Sequence, residues 1–179
     1  MAIKFNCFFP IGCVKFRRMM QEADAPKPFD LKESSPVFAQ REIVILQGLV
    51  DGLTWQEFDA RFDIKRIVLK ATRDSIAARF SPNGHVGGIY LAIIEAIKQD
   101  KLDTSKLPRE YPGQLTGTEI HFFVMQYKGK RASEVCESLG IEMREIPTYR
   151  NRISEKFGAD NFFAAIACVA RDNKEAGKL

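Results

Sequence analysis

Lys65, Arg66, Lys70, Arg73 and Arg79 fall within one short stretch of the chain, with Asp74 the only acid among them. Cations gathered in this way can neutralise phosphate oxygens and donate to base edges. On an isolated helix they would be no more than a solvated basic face, so the element that carries them decides their meaning. Farther on, Thr148, Arg150, Asn151 and Arg152 form a second polar cluster.

Other chemistries find no constellation. Cys7, Cys13, Cys136 and Cys168 include no CxxC pair and no neighbouring histidine, which argues against a zinc site or a disulfide framework and for free thiols in a reducing compartment. His85 and His121 have no partner at catalytic or ligand spacing, and Gly84 and Gly87-Gly88 lack the lysine-serine or lysine-threonine that follows in a phosphate loop. Without a nucleophile-base pair, the expectation is a protein that is not an enzyme and needs no cofactor or metal.

The apolar stretch from Phe5 to Val14 is too short to span a bilayer and contains Pro10, so no membrane partner is expected. Gly12-Cys13 lacks the basic start and longer apolar core of a lipoprotein cleavage site. With 179 residues, 45% hydrophobic, the chain can fill one mid-sized core or two small ones. A net charge of +4 permits a nucleic-acid partner without requiring one.

The elements that would position the cations come from an internal repeat. Shifted by 77 positions, Glu42 meets Glu119, Gly52 meets Gly129, Glu57 meets Glu134, Ile64 meets Ile141, Arg73 meets Arg150, Ile76 meets Ile153 and Phe80 meets Phe157, without a gap. Four parts follow: an irregular arm over 1–35, a helical unit over 36–103, a linker over 104–114 with Pro108, Pro112 and Gly113, and a second helical unit with a short tail over 115–179.

Each unit predicts four helices. In the first, Ile43, Leu46 and Val50 recur at helical spacing and Gly52 ends the helix. Thr54 and Glu57 form a capping box for a short helix to Phe62, a tight turn passes through Asp63 and Ile64, and a third helix runs from about Lys65 to Phe80. A fourth spans about His85 to Gln99. In the second unit Thr116 and Glu119 make the capping box, helix two covers about Ala132 to Leu139, the turn is Gly140-Ile141-Glu142, and helix three ends at Phe157-Gly158. Pro147 would break that third helix unless the helix starts there, where no hydrogen bond is lost. The fourth helices carry surplus apolar residues, Ile89, Ile93 and Ile97 in one and Phe162, Phe163 and Ile166 in the other, and should pack between units or between chains.

Two short helices joined by such a turn form a helix-turn-helix, whose second member enters the major groove of DNA. The words at these positions, FAQREIVIL (38–46) and DGLTWQEFDARF (51–62) in the first unit, LTGTEIHFF (115–123) and KGKRASEVCESLGI (128–141) in the second, resemble the C-terminal DNA-binding domain of LuxR/GerE-type bacterial regulators. Region four of the major sigma factors shares a similar motif, but the helix after Phe80 and after Phe157 fits the LuxR type better.

The resemblance implies an all-α fold of two tandem four-helix domains and a cytoplasmic, nucleoid-associated transcription regulator that binds duplex DNA. One chain would supply two recognition helices, as family members do by pairing through their last helix. The family's sensing module has no room in a 35-residue arm. Family positions that face DNA fall on Lys70, Ala71 and Asp74, and on Pro147, Thr148 and Asn151; with Pro147 opening its helix, contacts in the second unit move to Thr148, Arg150, Asn151 and Arg152. Lys65, Arg66, Arg73 and Arg79 complete the expected interface in the first unit, which should dominate affinity. Another transcription factor, RNA polymerase or a second copy of the chain are the further partners, and a protein-binding anti-activator is the alternative, favoured by Asp74 and Pro147.

Overall fold

A computed structural model describes residues 37–81 and 86–179. The expected arm over 1–35, with Cys7 and Cys13, lies outside the described residues, as do Gly84 and His85. The described residues form eight α-helices and no strand: α1 Gln40–Val50, α2 Trp55–Phe62, α3 Arg66–Phe80, α4 Gly87–Lys98, α5 Gly117–Tyr127, α6 Ala132–Leu139, α7 Ile146–Phe157 and α8 Phe162–Glu175. A 3-10 turn, Met143–Glu145, precedes α7.

The offset of 77 positions carries α1 onto α5 and α2 onto α6 end to end, and carries α3 onto the 3-10 turn plus α7. Caps set these boundaries. Glu57 accepts from the Thr54 backbone N–H at 2.7 Å while the Thr54 hydroxyl accepts from Glu57 N–H at 3.3 Å, and Thr116 with Glu119 repeats both bonds at the start of α5. Backbone turns repeat too: the left-handed residue between the second and third helices is Asp63 in one half and Gly140 in the other. Glycine adopts that conformation freely, whereas aspartate costs about 1 kcal/mol there. Pro147 lies in the first turn of α7, so its missing N–H costs no helical bond.

The fourth helices, α4 and α8, lie side by side and run the same way. Near their starts the Tyr90 ring meets Phe162 and Phe163, each at 5.6 Å; at their ends Lys174 Nζ donates to the Ile97 carbonyl at 2.9 Å and pairs with Asp100 at 2.5 Å. Ile97 and Lys174 are equivalent positions of the repeat, and with the reciprocal packing of first and fourth helices they relate the halves by an approximate local two-fold. Each fourth helix also lies on the opposite half's first helix. Asn161, the N-cap of α8, accepts from the N–H groups of Phe163 and Ala164 and donates to the carbonyls of Leu49 and Val50 at the end of α1. Reciprocally, Gly129 after α5 backs onto α4, where a Cβ would stand 2.7 Å from Leu91 Cδ1.

Ile89, Ile93, Ile97, Phe162 and Ile166 are buried by this pairing and Phe163 is half-buried, within one hydrophobic core that runs through both halves. The surplus apolar surface of these helices is therefore used inside the chain. Within the first half, α4 sits unusually close to α3: a Cβ on Gly88 would lie 2.2 Å from the Ala77 carbonyl oxygen.

Residues 104–114, expected as a linker, are strapped to the second half. The buried Arg171 guanidinium donates to the carbonyls of Leu107 and Pro108 at 3.1 and 2.8 Å, the Tyr111 hydroxyl donates to Asp172, and Gly113 N–H donates to the Lys156 carbonyl at 3.0 Å. Proline and glycine exclude regular structure from the segment, yet Leu107 and Tyr111 still pack on the core.

Candidate nucleic-acid interface

The third helix of the first half, α3, buries Leu69, Ile76, Ala77 and Phe80 and leaves Arg66, Ile67, Lys70, Ala71 and Asp74 exposed. A short α2 capped by Thr54, the Asp63 turn and the bond from Leu69 N–H to the Lys65 carbonyl at 2.9 Å hold its start. Lys65 is the N-cap of α3, and its ammonium lies 2.7 Å from Asp59 and 3.4 Å from Asp63. Hydrogen bonds to these carboxylates, Asp59 first, push its pKa up. The Arg66 guanidinium sits over the Trp55 ring at 5.8 Å. Arg79 pairs with Glu42 at 2.7 Å and faces Phe38 and Phe80, which ties the end of α3 to the start of α1.

In the second half Thr148, Asn151 and Arg152 are exposed on α7. The carboxylates near its start are partly occupied: Glu142 pairs with Arg144 at 2.6 Å, and Glu145 accepts from the Glu142 backbone N–H at 2.7 Å.

Arg73 and Arg150, expected at the groove, are turned toward the protein instead. Both are half-buried, and both have a buried Nε with no hydrogen-bond partner among the described residues. The reason is helical period: Leu69, Arg73, Ile76 and Phe80 share one stripe, as do Ile146, Arg150, Ile153 and Phe157, and that stripe faces the core. The Arg150 guanidinium donates to Gln126 Oε1 at 2.7 Å and stands 5.8 Å from the Tyr90 and Phe162 ring centres. Burial pushes the Tyr90 hydroxyl up to about 12, with the Arg150 and Arg73 charges pulling the other way. Arg150 belongs to the seam between the halves, and the Arg73 charge acts on the same Tyr90 from α3.

Reasoning from sequence missed Ile67, which is 77% exposed and follows Arg66 on the same outer face as Lys70, Ala71 and Asp74. Its spacing of three, four and seven from those residues is the signal that could have found it. Trp55 and Phe62, apolar residues of α2, are 44% and 45% exposed, so the first half carries apolar surface beside its cations. Second-half equivalents at these three positions are Arg144, Ala132 and Leu139.

Among the described residues no three or more His, Cys, Asp or Glu side chains gather as a metal site. No described helix is long and apolar enough to cross a membrane. No protein-family model matches the chain, and no curated protein or solved structure is found to be similar to it.

Proposed function

We propose that the chain is a duplex-DNA-binding transcription regulator of the LuxR/GerE type in which one polypeptide supplies both recognition helices, α3 and α7. The observation that carries this reading is the two-fold relation of the halves, with Ile97 and Lys174 meeting across it. Symmetric DNA readers use such a relation to set two helices on inverted half-sites. Arg66, Lys70 and Ala71 then contact DNA in the first half, and Thr148, Asn151 and Arg152 in the second. Lys65 joins them, because an exposed ion pair contributes less than about 1 kcal/mol and a phosphate can replace the carboxylate. No catalytic step is assigned. The nucleoid is the location that goes with this activity.

A second reading, a regulator that docks on another transcription factor or on RNA polymerase, is favoured by the exposed Ile67, Trp55 and Phe62 beside Asp74. Fluorescence anisotropy on random duplex at two salt concentrations separates the two. DNA binding gives a steep salt slope, and Arg66→Ala with Lys70→Ala lowers that slope by about two units, Arg152→Ala by about one. Absence of a salt-dependent complex in a folded protein would leave the docking reading in place.

A further inference from the structure

A cleft of about 320 Å³ opens on the seam between the halves, where the start of α4 faces the α5–α6 corner and the start of α7. Its rim is apolar and open: Val86 is 44% exposed and Met143 56%. Ile146 and Ala132 line it deeper in. Its polar lining is cationic, supplied by Arg150 and Lys130 with the buried amide of Gln126.

Arg150 is the unusual member. Among the described residues its partners are Gln126 Oε1 and two aromatic faces; no carboxylate neutralises it, and its Nε is buried without an acceptor. A half-buried guanidinium without a counter-ion is costly and favours an anion brought from outside. Lys130 has a carboxylate, Glu134 at 3.3 Å, but that pair is exposed and readily exchanged. Gln126 holds the polar wall rigid, since its Nε2 donates to the Lys130 carbonyl at 3.3 Å while its Oε1 holds Arg150.

The repeat shows that this corner is particular to one side. At the equivalent corner of the first half Trp55 stands for Ala132, Phe163 for Val86 and Leu49 for Gln126. Two large rings there occupy the places that the small Ala132 and Val86 hold around this cleft, and an apolar side chain replaces the amide that fixes the arginine.

We propose that this cleft binds a small organic carboxylate, whose anionic end meets Arg150 and Lys130 and whose apolar body lodges between Val86, Met143 and Ile146. The volume is at the lower end for ligand pockets, which selects a body of one ring or one branched chain. Because one wall belongs to α4 and the others to α5, α6 and α7, an occupant bridges the halves and stabilises their pairing by mass action.

The test uses the full chain without DNA, so it stands apart from the fate of the DNA-binding reading. Benzoate, its neutral counterpart benzamide, and inorganic phosphate are titrated by calorimetry and by thermal unfolding. Benzoate should bind saturably and raise the melting midpoint, with benzamide weaker by about tenfold or more, since a hydrogen bond to a charged group is lost. Phosphate, which has charge but no apolar body, should also be weaker. Ala132→Trp, which copies the first half, should abolish benzoate binding, and Lys130→Gln on the exposed rim should weaken it in a protein of unchanged circular dichroism. No saturable benzoate effect, equal binding of benzamide or phosphate, or full binding by folded Lys130→Gln would overturn the proposal.

Discussion

Replacing Gly88 by alanine should destabilise the protein even though alanine is the better helix former. The new methyl would lie 2.2 Å from the Ala77 carbonyl oxygen and 2.9 Å from its Cα, both backbone atoms of α3 that no rotamer change can move aside. A carbon–oxygen contact needs about 3.3 Å, so α4 must retreat by roughly 1 Å from α3. Overpacking of this kind costs about 1–3 kcal/mol and occasionally more, while the gain in helix propensity returns about 1 kcal/mol at most. The net loss is about 1–2 kcal/mol, or a fall of roughly 2–8 °C in melting temperature for a chain of this size. Thermal unfolding followed by far-ultraviolet circular dichroism measures it. The repeat supplies the control, because the equivalent residue is Ala165, fully buried and already carrying its methyl. Ala165→Gly should lose only about 1 kcal/mol of propensity plus a small cavity. A Gly88→Ala protein that melts at or above the parent temperature would refute the claim that α3 and α4 touch through this glycine.

Glu119 gives a pH dependence. Burial pushes its carboxyl up, but the Lys156 ammonium at 2.6 Å and the Thr116 N–H and hydroxyl outweigh that and hold it below the ordinary carboxylate value. A depressed carboxyl contributes stability that is present above the ordinary range and lost as pH falls through the folded-state value, so Glu119→Gln should flatten acid unfolding there; an unchanged acid limb in the variant counts against the pairing. Cys168 is fully buried and its thiol is pushed up to about 11 by that burial, so peptide mapping after thiol labelling at neutral pH should find it unmodified in the folded protein, with the half-buried Cys136 labelled ahead of it. Asn161→Ala removes a helix cap and the bonds to Leu49 and Val50 together, and should lower the urea midpoint by about 1–3 kcal/mol of stability without changing the m-value.

Helix order, helix ends and the repeat were legible because they are encoded locally. Thr54 with Glu57 and Thr116 with Glu119 announce helix starts, Gly52, Gly129 and Gly140 announce ends, and none of these needs knowledge of the rest of the fold. The site was legible only in part. Arg73 and Arg150 count as basic residues of a groove-facing helix until their place on the stripes of Leu69, Ile76 and Phe80, and of Ile146, Ile153 and Phe157, is drawn. Charge attracts attention, whereas helical phase decides direction. Gln126 was hidden in the same way, as a single amide inside the apolar face of α5, and its bond to Arg150 spans 24 residues. The 104–114 segment shows a different limit: Pro108, Pro112 and Gly113 say that no helix forms, but the groups that hold it, Arg171 and Asp172, lie more than sixty residues downstream.

Because Ile97 and Lys174 face each other within one polypeptide, the partnership of the two halves does not dissolve on dilution. Separate chains assemble in proportion to the product of their concentrations, whereas here the two halves meet within one molecule. The joint also escapes a restriction that symmetry places on identical chains. Around a true two-fold, like side chains must oppose like, and a lysine at this position would meet a second lysine. Here an ammonium meets a backbone carbonyl and the Asp100 carboxylate, an attractive contact that could not be made by two copies of either half alone.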